Sequence, residues 1–81
     1  MSGIGTPTTG IRAWGTARLD TGMAAVEAPA LLGTSVIVLT IQEAGGTIAM
    51  PYVSSRAAGQ GFVISSLSDR DTSLVAWLII G

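Results

Sequence analysis

Cysteine, histidine and lysine are all missing from this 81-residue chain, and its four cations, all arginine, face five carboxylates. Without cysteine no disulfide can staple the fold. Without cysteine or histidine the common nitrogen and sulfur metal ligands are gone. The serines are plentiful, but no histidine or lysine is present as the usual base to activate one. The stretch Gly3-Ile4-Gly5 lacks the strand before it and the helix after it that a phosphate-binding loop requires. These absences lead us to expect no enzyme and no cofactor. A net charge of −1 supplies no clustered basic face for nucleic acid.

Charge is scarce altogether: 11% of residues are charged and 48% are hydrophobic, where an ordinary domain is about 25% charged. The longest apolar runs, residues 36–41 and 74–80, fall short of the ~20 residues a spanning helix needs. A membrane barrel needs at least about eight long strands, so no membrane partner is expected. The opening MSGIGTPTTG has neither a basic nor an apolar segment of the kind a signal peptide carries. Small scaffolds without staples often rely on oligomerisation, and this composition suits that route.

What is present is a succession of short β patterns separated by turn chemistry. Residues 1–12 show no period and read as an extended or flexible N-terminal arm, with residues 13–81 a single folded domain. In AWGTARLD, Ala13, Gly15, Ala17 and Leu19 share one face, and Trp14, Thr16, Arg18 and Asp20 the other. Asp20-Thr21-Gly22 makes a turn. MAAVEA is a weaker strand with Val26 as its core candidate. SVIVLTIQ is the strongest strand, rich in β-branched residues. Gly45-Gly46 signals a hairpin, and Pro51 in TIAMPYVSS points to an edge position or a bulge. GFVISS places Phe62 and Ile64 together, and DTSLVAWLIIG closes the chain. Six strands at roughly ten-residue spacing predict an all-β fold, a compact antiparallel β-sandwich or jelly-roll-like barrel.

Two of these strands are apolar on both faces, which sets the functional question. In SVIVLTIQ, Ile37, Leu39 and Ile41 form one face while Val36 and Val38 lie on the other. In the last strand Val75, Trp77 and Ile79 oppose Leu74, Ala76, Leu78 and Ile80. A sandwich core is one layer thick, so at least one outer face should meet another chain. The candidate interface residues are Arg12, Trp14, Arg18, Val36 and Val38; for Trp14, packing against the arm or sheet edge is the competing reading. Trp77 is expected in the core. Asp69 and Asp71 flank Arg70 in what reads as a solvated turn, with Asp71 capping Ser73.

The ordered series from Gly15, Ala17 and Leu19 through Ser35, Ile37, Leu39, Thr40 and Gln42 continues with Val53, Ser54 and Arg56, then Phe62, Ile64 and Ser66. It ends on Asp71, Thr72, Ser73, Val75, Trp77, Leu78 and Ile79. This series resembles a repeating β-module in virion proteins of tailed bacteriophages, and covers about residues 15–80. The resemblance implies a structural role in the virion, typically as a trimer. A lone module with a short arm suits a decoration or cement protein on the capsid surface, binding the major capsid protein and stabilising the head. A tail-fibre or tail-tip module that binds a receptor or glycan is the alternative, with Trp14 or Tyr52 stacking on a sugar. Val36 departs from the pattern, where a polar residue is expected, and implies a more apolar partner surface or a different oligomeric contact.

Overall fold

The computed structural model describes residues 11–81, and residues 1–10 of the arm expected at residues 1–12 lie outside them. Six strands follow in chain order: β1 (Ile11–Arg18), β2 (Met23–Glu27), β3 (Val36–Glu43), β4 (Pro51–Ala57), β5 (Gly61–Ser66) and β6 (Leu74–Ile80). They form two antiparallel three-stranded sheets, ordered β1-β6-β3 and β2-β5-β4. Of the two all-β folds expected, a sandwich or a jelly-roll-like barrel, the chain forms the sandwich. β1 starts two residues before the boundary read from sequence. Ile11 pairs with Ile80 and Arg12 Nε donates to the Ala30 carbonyl at 2.9 Å, so both residues are bound into the sheet rather than the arm.

The chain alternates between the sheets, and only β4 and β5 are sequence neighbours paired in one sheet. Thr21 (φ 52°) and Gly22 (φ 78°) turn the chain tightly after β1, the positive φ pair of a type I′ turn. Asp20 and Met23 bond each other across it at 2.9 and 3.1 Å. Gly45-Gly46, read as a hairpin, is not one: it begins the crossover from β3 to β4 in the other sheet. The glycines are needed there for close approach. A Cβ on Gly45 would lie 2.8 Å from the Thr72 carbonyl oxygen, and Gly46 holds φ 59° while bridging to Asp71.

Alternation along each strand sends one face inward. Phe62 and Ile64 from β5 meet Val75 and Ile79 from β6, joined by Leu19, Ala28 and Leu31 from the connections, all buried. Trp77 packs edge-on against Phe62 across the two sheets, with ring centroids 5.5 Å apart and planes at 82°, a favoured aromatic geometry. Gly15 is its cross-strand partner on β1. A Cβ at position 15 would stand 2.8 Å from Trp77 Cζ2, so the indole occupies the space that the missing side chain leaves. Pro51 opens β4, which is an edge strand with a bulge at residues 53–55, as its lack of an N–H donor requires.

Candidate functional site: an uncovered apolar sheet face

The strand that was apolar on both faces lies in the middle of its sheet. Its odd positions Val75, Trp77 and Ile79 enter the core. Its even positions point away from the second sheet, and nothing among the described residues covers them. Strand register assembles this outer face in rows. Ile11, Ile80 and Val36 lie side by side, then Trp14, Leu78 and Val38, then Thr16, Ala76 and Thr40. Trp14 is 74% exposed, Val36 57% and Val38 44%. Burying a large aliphatic side chain fully is worth about 1.5–3 kcal/mol, so covering this face would be favourable.

A fourth row closes the patch with charge. Arg18 and Glu43 flank Leu74 on neighbouring strands, and Arg18 Nη2 meets Glu43 Oε1 at 2.9 Å. The same guanidinium donates to the Thr72 carbonyl at 3.1 Å. Arg18 is thereby held at the rim by partners of its own chain, where an exposed pair contributes little stability.

Of the five residues expected at an interface, Trp14, Val36 and Val38 fall in adjacent rows of one patch, and Arg18 borders it. Arg12 stands apart. A register shift between Ile11 and Ala13 marks a bulge that gives Ile11 the outward place regular alternation would assign to Arg12, and frees Arg12 to reach Ala30. The arm through Arg12 was also expected to make contact, and the rows add Ile11 from it together with Leu78 and Ile80. The last two were legible as the even face of β6; the outward place of Ile11 was hidden by the bulge.

The Asp71 side chain serves structure. Asp71 was read as part of a solvated turn, yet it is fully buried. Its Oδ1 accepts from Ser73 N–H at 2.9 Å, the capping that was expected. Its Oδ2 accepts from Ser66 Oγ at 2.7 Å and Ala49 N–H at 3.1 Å. Hydrogen bonds from Ser73, then Ser66 and the backbone of Ser73 and Ala49, outweigh burial and hold the carboxyl at about 2, below the ordinary 3.8. Burial is tolerated because three donors reach its two oxygens.

No curated protein matches this sequence. A family model does, described as K1 capsule-specific polysaccharide lyase, C-terminal domain, and the match runs over residues 12–80. It bears out the resemblance to phage proteins at that coarser level, and does not specify a capsid decoration module. From β1 to the end of β6, this chain belongs to the family of K1 capsule-specific polysaccharide lyase C-terminal domains.

Proposed function

We propose that this chain is a non-catalytic, tail-associated module of a phage virion, and that it assembles with further copies of itself through the outer face of β1-β6-β3. The family match supports a tail position over the head-decoration role that the module resemblance first suggested. In that family the lyase name belongs to a protein of which the matched segment is the C-terminal domain. Here the one buried carboxylate is committed to backbone and serine donors, and Glu43 to Arg18.

The observation that carries the assembly reading is the pair of apolar rows Ile11–Ile80–Val36 and Trp14–Leu78–Val38. Every copy presents the same face with its charges paired internally, so a second copy meets no unmatched charge. An aromatic near the middle of such a patch is the usual anchor of an interface. Three copies is the stoichiometry that the module resemblance implies.

Light scattering coupled to gel filtration tests this. Wild-type protein is expected at three times the chain mass. Val38→Arg is expected to run as a folded monomer, because it places an unpaired charge in the apolar row. A wild-type monomer would sink the assembly reading, and gold-labelled antibody found only on phage heads would sink the tail position.

A further inference from the structure

The two edges of the β1-β6-β3 sheet carry complementary side chains at matching heights. β1 and β3 flank β6 on opposite sides and run in the same direction. Among the described residues, no backbone hydrogen bond of 11–18 or 36–43 leads outside this sheet. Each edge therefore keeps a row of donors and acceptors for another strand. β4, by contrast, is blunted by Pro51 and a bulge between Val53 and Ser55. Level by level along β6, Ile11 on one edge matches Val36 on the other, and Trp14 matches Val38. Thr16 then matches Thr40, and Arg18 matches Glu43. Register shifts fall only near the two outermost rows, between Ile11 and Ala13 and between Ile41 and Glu43. The Trp14 and Thr16 rows lie on regular ladder.

We propose that copies join edge to edge in a closed head-to-tail ring, the β3 edge of one beside the β1 edge of the next, with the apolar rows turned toward the ring axis. This rests on the assembly reading and deepens it: the face gives the reason copies meet, and the edges give their order. Rotation about an axis along the strands keeps every row at its own height. Val36 then meets Ile11 of the next copy, Val38 meets Trp14, Thr40 meets Thr16, and Glu43 meets Arg18. Pairs of an aromatic with a β-branched residue, of Thr with Thr, and of opposite charges are the stabilising ones on a sheet face. A twofold axis along the strands would set Glu43 against Glu43, or Arg18 against Arg18, and like charges directly opposite destabilise. A twofold axis across the strands would reverse one edge, bringing Glu43 toward Val36 or Arg18 toward Ile11. Of these arrangements the head-to-tail junction alone matches all four rows. Arg18 already reaches over Leu74 to Glu43 of its own chain at 2.9 Å. In the ring, guanidinium and carboxylate alternate around the rim, each with an opposite charge on either side.

The chain has no cysteine, so introduced ones report the junction. Thr16 and Thr40 are exposed and flank Ala76, two strand spacings or about 9.5 Å apart within one chain. That exceeds the roughly 7 Å a disulfide allows between Cα atoms, whereas adjacent strands across the junction stand about 4.8 Å apart. Full-chain Thr16→Cys/Thr40→Cys, oxidised in dilute solution and run on a non-reducing denaturing gel, is expected to give a covalent trimer and nothing longer. Arg18→Cys/Glu43→Cys, one row along, should do the same, and under reduction both should still run at three times the chain mass. Thr16→Cys or Thr40→Cys alone should stay a single chain on the gel. Thr16→Cys/Val36→Cys, two rows out of register, should as well. Cross-linked dimers from either single variant would overturn the ring in favour of a twofold contact, and bands beyond three chains would overturn its closure. Light scattering on the wild type separates this from the assembly reading. A wild-type trimer in which neither matched pair cross-links removes the ring alone, whereas a wild-type monomer removes assembly and ring together.

Discussion

Gly15 and Asp71 show how single positions are constrained by what faces them. A side chain at position 15 would displace the Trp77 ring, which is held from its other side by Phe62. Gly15→Val should therefore cost about 1–3 kcal/mol in urea unfolding, the range for overpacking a filled site. Combined with Trp77→Leu, the two losses should sum to less than their separate values, because the clash vanishes with the indole. Full additivity would place the strain elsewhere. Asp71 sets the acid response. Its carboxyl sits near 2 in the folded chain against an ordinary 3.8, so its stabilising contribution is complete above that ordinary value and fades as pH falls toward 2. Thermal melts should show a Tm drop opening below about pH 4. Asp71→Asn should lower Tm at pH 7 and flatten that drop; an unchanged acid limb in the variant would assign it to other groups. Asp71 capping Ser73 was legible because a turn Asp often bonds the backbone two residues on. Its burial was not, since Ser66 and Ala49 come from other parts of the chain.

At the level of the element, β6 carries two different jobs on its two faces. Ile79 is fully buried in the core, while its neighbour Leu78 stands between Trp14 and Val38 on the outer face. In the monomeric Val38→Arg background, Ile79→Ala should cost about 2–5 kcal/mol, and Leu78→Ala distinctly less. In the wild-type background the order of effects on mass reverses, and Leu78→Ala should shift gel-filtration profiles toward monomer. Equal unfolding costs in the monomer would mean that the outer face is already covered within one chain. The strands themselves were readable from alternation: Ala13, Ala17, Leu39 and Val26 all pack where their spacing placed them. Leu19, Ala28 and Leu31, buried in the core from the connections, obey no strand period. They are fixed by backbone bonds such as Ala28 N–H to the Gln60 carbonyl and Gly59 N–H to the Leu31 carbonyl, which no local pattern announces.

For the whole molecule, the two outer sheet faces differ in character. One is apolar and bulky, with the one ion pair among the described residues at its rim; the other carries small residues such as Ala25, Ser55 and Gly61. An interface on the first face couples folding to association, since a partner that binds only the folded chain stabilises it by mass action. Wild-type Tm should therefore rise with protein concentration over a hundredfold dilution series, and the Val38→Arg Tm should not. A concentration-independent wild-type Tm would detach stability from assembly.

Composition and alternation by themselves determined an all-β fold, a sandwich or a jelly-roll-like barrel, with no histidine, cysteine or lysine and with more apolar strand faces than one core can hide. Those conclusions follow from counts and from the two-residue period, which are local properties of a chain. Which face is left uncovered among the described residues was decided only by tertiary structure. Placing β6 between β1 and β3 gathers Trp14, Leu78 and Val38 from positions 14, 78 and 38 into one row. Crossing from β3 to β4 at Gly45-Gly46 sends the next strand to the other sheet instead of back along the first. Register and sheet order depend on contacts between residues distant in sequence. A periodic pattern fixes which side of a strand a residue takes, but not which strand lies beside it.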